Sequence, residues 1–210
     1  MKILAHRGYW LTNSEKNSLV AFKRSFTLGF GTETDVRDWE GNLVISHDPA
    51  NRSSMTLDAF LTIYLEFPEK PTLALNIKSD GLQEKLKSKL TMFGVENYFV
   101  FDMAVPDGLF YLRSGMNTYT RHSEYEPVPP FYAQACGVWI DEFNGHWVSE
   151  EIIEKHLSAA KSVCIVSPEL HNRSYKKEWT HYRELEKKIG KNKLMLCTDF
   201  PEKAKEFFND

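Results

Sequence analysis

The feature that most constrains this chain is a regular alternation. Short runs rich in aliphatic, β-branched or aromatic residues recur at 2–6, 32–37, 72–78, 98–102, 117–121, 137–143, 162–167 and 193–198. Between successive runs lie longer segments with the apolar spacing of helices, at 18–29, 56–67, 81–94, 106–115, 130–135, 149–162, 176–190 and 201–208. Eight strands, each followed by a helix, predict an α/β fold: a compact (β/α)8 TIM barrel with eight parallel strands and outer helices. A doubly wound open sheet competes with it on period alone.

The helical segments carry boundary signals of their own. Ser149 stands before an acidic first turn as an N-cap, Gly94 closes the segment 81–94, and Pro201 opens the last helix where no hydrogen bond is lost. No linker, charge block or low-complexity tract interrupts the pattern, so residues 1–210 are expected to form a single domain. At 210 residues, 42% hydrophobic, the chain is long enough for a full-sized core.

A formal net charge of −3 gives no strong field, which argues against nucleic acid or an anionic membrane surface as a partner. No window approaches the roughly 18 apolar residues of a spanning helix. His6 and Arg7 interrupt the N-terminal apolar run before it reaches signal-peptide length. A soluble, cytoplasmic protein without membrane insertion is the expectation. Cys136, Cys164 and Cys197 are far apart and sit in or beside apolar runs, which predicts buried thiols in a reducing compartment.

In a parallel barrel, chemistry gathers at the C-terminal ends of the strands. The polar residues at those positions are His6 and Arg7, Glu33 and Asp35, Asn76 and Lys78, Asp102, Arg121, Asp141 and Glu142, Ser167 and Glu169, and Asp199. Glu33 and Asp35 are two apart on one strand and project to the same side. They are either an exposed, alternating strand edge or, turned inward, a repelling pair that a hard cation such as Mg²⁺ or Ca²⁺ would offset.

His6 and His47 each end an apolar run. Singly, each reads as structural or solvent-exposed; aimed at one mouth, they could give and take a proton near neutral pH, which suits phosphodiester cleavage. Arg7 and Lys78 are either surface charge or ligands for the nonbridging oxygens of a phosphate. Asp141, beside Trp139, is either a solvated acid or a contact for a polyol substrate.

HRG at the first strand, NSLVAF at 17–22, Gly29, ETDV at 33–36, LVISHDP at 43–49 and TDFP at 198–201 together resemble the signature of the glycerophosphodiester phosphodiesterase family, a barrel superfamily shared with phosphatidylinositol-specific phospholipase C. The resemblance implies a metal-assisted phosphoric diester hydrolase of lipid metabolism that acts on a small phosphodiester. It makes Glu33 and Asp35 metal ligands, His6 and His47 the acid and base, and Arg7 a phosphate ligand.

Three departures stand out. Asn76 replaces a glutamate two residues before Lys78, leaving an amide oxygen as the third ligand for Mg²⁺ or Ca²⁺. Lys16 replaces an acid before Asn17. SPELH at 167–171 replaces the family's Trp-Thr and adds Glu169 and His171. Two other outcomes stay open: a phospholipase C-like lyase that releases a cyclic phosphate, and a barrel that binds a phosphorylated ligand without turnover.

Overall fold

The computed structural model describes residues 1–209; Asp210, the last position of the expected domain, lies outside the described residues. The chain divides into two compact units, Ala5–Thr118 and Met1–Leu4 with Tyr119–Asp210. Strand β1, Lys2–His6, runs through the boundary at Leu4.

In Ala5–Thr118 the tip of β1 is followed by α1 (Leu19–Thr27), β2 (Gly31–Trp39), β3 (Asn42–Ile45), β4 (Met55–Thr56), α2 (Leu57–Leu65), β5 (Leu73–Ile77), α3 (Gln83–Met92), β6 (Tyr98–Phe101) and α4 (Val105–Arg113). Strand β2 neighbours β1. It pairs in parallel with β5, from Thr32 opposite Leu73 to Val36 opposite Ile77. Strand β5 pairs in parallel with β6 in turn.

The far half of β2 does something the alternation did not foretell. It turns back antiparallel onto β3, from Val36 opposite Ile45 to Trp39 opposite Asn42, and β3 pairs antiparallel with β4. Glu40 and Gly41 form the corner with φ of 46° and 79°. Two consecutive positive φ values make the kind of turn that matches strand twist in a two-residue hairpin.

Helix α1 forms because Ser18 Oγ caps it, accepting from the Ala21 amide at 3.4 Å, and because Ala21, Phe22, Ser25 and Phe26 share one face. It stops at Gly29, whose φ of 76° suits a residue just past a helix end. Its buried face meets α2: the rings of Phe22 and Phe60 lie 4.6 Å apart and those of Phe26 and Tyr64 5.5 Å apart. These side chains join Val36, Leu73, Leu75 and Leu86 in a continuous apolar core. Each such fully buried side chain contributes about 1.5–3 kcal/mol.

The other unit holds β7 (Tyr119–His122), β8 (Gly137–Ile140), α5 (Glu150–Ser158), β9 (Ser162–Val166), α6 (Lys176–Ile189), β10 (Leu194–Thr198) and α7 (Pro201–Asn209). Strands β7, β8, β9 and β10 pair in parallel in that order, and the first residues of β1 lie beside β10. Every strand expected from the alternation is therefore present.

One expected helix is not. Residues 130–135 form turns rather than a helix, because the segment opens with Pro129 and Pro130 and Phe131 has φ of 45°. Cys136 is exposed, contrary to expectation, since it stands one residue before β8; Cys164 and Cys197 are buried, and none of the three is in a disulfide. Helix α6, whose charged residues suggested a solvated face, also buries Trp179, Tyr182 and Leu185. No helix among the described residues is long and apolar enough to cross a membrane.

Candidate active site

The parallel strands of the Ala5–Thr118 unit end in a polar cluster. His6 is the last residue of β1, Asp35 and Asn76 face each other in register on β2 and β5, Lys78 lies one residue past β5, and Asp102 one residue past β6. Glu33 and Asp35 are 2% and 0% exposed, so they are not an exposed strand edge. Buried carboxylates demand partners.

Asp35 has three. Arg7 Nε stands 3.2 Å from Oδ2, Lys78 Nζ stands 3.4 Å from Oδ1, and Asn17 Nδ2 donates to Oδ2 at 2.8 Å. Lys78 also reaches Asp102 Oδ2 at 3.7 Å. Glu33 accepts from the Arg7 amide and from Asn76 Nδ2, each at 3.2 Å, and its Oε2 lies 3.9 Å from His6 Nε2. Burial and, after it, the Asp35 charge raise the Glu33 pKa to about 7.

Three residues of the cluster hold left-handed backbone: Arg7 at φ 56°, Asn17 at φ 57° and Asp102 at φ 69°. Such strain persists only where surrounding contacts enforce it. Arg7 is fixed because its carbonyl accepts from the Asn17 amide at 2.9 Å and the next residue is wedged in place. That residue, Gly8, has φ of 79°, and a Cβ there would come within 2.9 Å of Ala21 Cβ. Its role is thus the turn and the packing against α1.

The oxygen set fits a hard cation. Asn76 Oδ1 is a buried acceptor without a hydrogen bond, and Asp35 Oδ1, also without one, has only the Lys78 ammonium 3.4 Å away; buried oxygens beside carboxylates are the groups that Mg²⁺ or Ca²⁺ takes. Among the described residues no group of three or more His, Cys, Asp or Glu side chains is disposed to hold a metal ion. The amide of Asn76 is needed to complete a set of three.

His47 lies on a different wall. It follows the β2–β3 hairpin, half exposed, with Nδ1 2.8 Å from Asp48 Oδ1. Its loop is tied to the cluster, since the Ser46 amide donates to the Asp35 carbonyl at 3.0 Å and Arg37 donates to the His47 carbonyl at 3.1 Å. His47, Arg7, Lys16 and Asn17 line one cleft of about 550 Å³. Asp141 belongs to the other unit, where it accepts from Trp139 Nε1 at 3.1 Å and pairs with His171 Nε2 at 3.0 Å. Glu169, in that unit too, accepts from Ser167 and Thr198 and from the Asp199 amide.

Two members of the cluster were not singled out from the sequence as ligands or catalysts. Asp102 was visible as a strand tip. Asn17, which also accepts from Thr34 Oγ1 at 2.8 Å, sits in a loop whose left-handed turn no periodicity reveals.

No family model and no curated protein matches this sequence. Solved structures do. A glycerophosphodiester phosphodiesterase from Agrobacterium tumefaciens superimposes with a TM-score of 0.67 at 13% identity, covering 99% of this chain and 98% of that one. The chain has the TIM-barrel fold of these phosphodiesterases. A glycerophosphoryl diester phosphodiesterase from Parabacteroides distasonis gives a TM-score of 0.69 at 13% identity, over 99% of this chain and 86% of that one. An Oleispira antarctica phosphodiesterase, solved with its product sn-glycerol-3-phosphate, gives 0.64 at 15% identity, over 100% and 97%.

Proposed function

We propose that this protein is a phosphoric diester hydrolase acting on small phosphodiesters with a hydroxyl beside the phosphate, glycerophosphodiesters being the first class to test. The carrying observation is the buried cluster at the strand tips, where His6 stands 3.9 Å from Glu33 and the Asp35 carboxylate is held by Arg7 and Lys78. The fold shared with three phosphodiesterases supports the same reading.

Arg7 and Lys78 bind the nonbridging phosphate oxygens and hold them as negative charge builds. One of His6 and His47 takes the proton of the substrate's neighbouring hydroxyl as its oxygen bonds to phosphorus. The other gives a proton to the alkoxide whose bond to phosphorus breaks. Water then opens the cyclic phosphate. A divalent cation, held by Glu33, Asp35 and Asn76 when bound, would add positive charge beside the phosphate.

The test is turnover of glycerophosphodiesters followed by ³¹P NMR, with Mg²⁺ or Ca²⁺ added. The wild type is expected to form sn-glycerol-3-phosphate, and His6→Ala and His47→Ala each to lose about 10²–10⁴-fold in rate. Accumulation of a cyclic product instead makes the protein a lyase. No turnover with either cation, together with binding of glycerol 3-phosphate, makes it a binding barrel.

A further inference from the structure

Beyond the reacting atoms, the cleft that Arg7 and His47 share contains a second cation, Lys16, held by two anchors. The first is Trp10. Lys16 Nζ lies 4.3 Å from the centre of the Trp10 ring, and Trp10 Nε1 donates to the His6 carbonyl at 3.1 Å, so the ammonium rests on a platform fixed to the tip of β1.

The second anchor is the next residue. Asn17 is bound through its side chain to Asp35 and Thr34, each at 2.8 Å, and through its amide to the Arg7 carbonyl at 2.9 Å. Lys16 therefore has its backbone set from one side and its head group from the other. It makes no ion pair among the described residues, whereas Arg7 and Lys78 are both paired with Asp35. The only acid among the residues lining the cleft, Asp48, is 87% exposed and is hydrogen-bonded to His47.

We infer that Lys16 is a specificity-determining residue, selecting phosphodiesters whose second esterified group carries a negative charge and disfavouring those that carry a quaternary ammonium. The inference rests on the phosphodiesterase reading, because a phosphate fixed by Arg7 leaves its esterified group in the cleft that Arg7 and Lys16 both line. A unit charge near another at a partly hydrated site changes binding on the order of tenfold, and reversing the sign of the lysine reverses the preference.

The test compares kcat/KM for sn-glycerol-3-phosphocholine and for bis(glycerol-3-phosphate) esters of glycerol, the anionic probe, in wild type, Lys16→Met and Lys16→Glu. The wild type is expected to prefer the anionic probe by about tenfold at low salt. Lys16→Met should abolish the preference and Lys16→Glu should turn it toward choline. Raising salt to about 0.5 M should narrow the wild-type ratio, because exposed charges are screened within a few ångströms there.

Turnover of both probes with a ratio that neither salt nor either variant moves overturns the role of Lys16 and leaves the phosphodiesterase reading standing. Absence of turnover with every probe overturns the phosphodiesterase reading itself.

Discussion

Glu33 has its charged form disfavoured twice, by burial and by the Asp35 carboxylate two residues along β2, and these outweigh the pull of His6, Lys78 and Arg7. In the cation-free protein the folded state therefore holds this proton more tightly than the unfolded chain. The contribution is complete below the ordinary value of 4.5 and is lost as pH rises through about 7. Urea titrations with a chelator present should show the wild type losing up to about 3 kcal/mol between pH 5 and pH 8 relative to Glu33→Gln, which has no charge to expose. Parallel pH profiles for the two proteins would remove Glu33 as the source. At this scale, strand-tip position alone made His6, Glu33, Asp35, Asn76 and Lys78 legible, since a residue's face follows from its parity on a strand. Asn17 was not legible as a ligand, because its contact with Asp35 depends on a left-handed backbone that only the folded loop enforces.

Elements are legible in the sequence where one period runs long, and strands as short as β3 and β4 are not. Strand β3, four residues, and β4, two, give too few positions to establish an alternation. The available signal was Glu40-Gly41 between Trp39 and Asn42, a corner needing positive φ, and it decides where His47 falls. Two glycines with the same φ of 79° separate backbone strain from crowding. At Gly41 an added Cβ meets nothing within 4 Å, whereas at Gly8 it meets Ala21 Cβ at 2.9 Å and the Ala21 backbone at 3.0 Å. Gly41→Ala should cost about 1–2 kcal/mol from conformation alone. Gly8→Ala should cost about 1–3 kcal/mol more, because α1 must shift from β1. Chemical denaturation of both variants checks this, and equal losses would refute the crowding.

At the scale of the whole chain, the alternation of strand and helix was enough to give the fold class, because each parallel strand needs a crossover and a helix is the cheapest one. The division into two units was not legible, since no break in composition marks Leu4 or Thr118. Every residue of the strand-tip cluster falls within Ala5–Thr118, so a ligand that joins Glu33, Asp35 and Asn76 ties the two paired strands β2 and β5 together through their side chains. A cation that binds only the folded state stabilises it by about 2.7 kcal/mol at a hundredfold excess over Kd. For a chain of this length that is a rise in Tm of roughly 5–10 °C. Proton and cation compete for Glu33, so the rise produced by Ca²⁺ or Mg²⁺ should be larger at pH 8 than at pH 6 and should vanish with a chelator. Asn76→Glu adds a third carboxylate and should lower the Kd measured by calorimetry. A Tm that neither cation moves at pH 8, or an Asn76→Glu variant that binds no more tightly, would mean that Arg7 and Lys78 already supply all the positive charge that Asp35 requires.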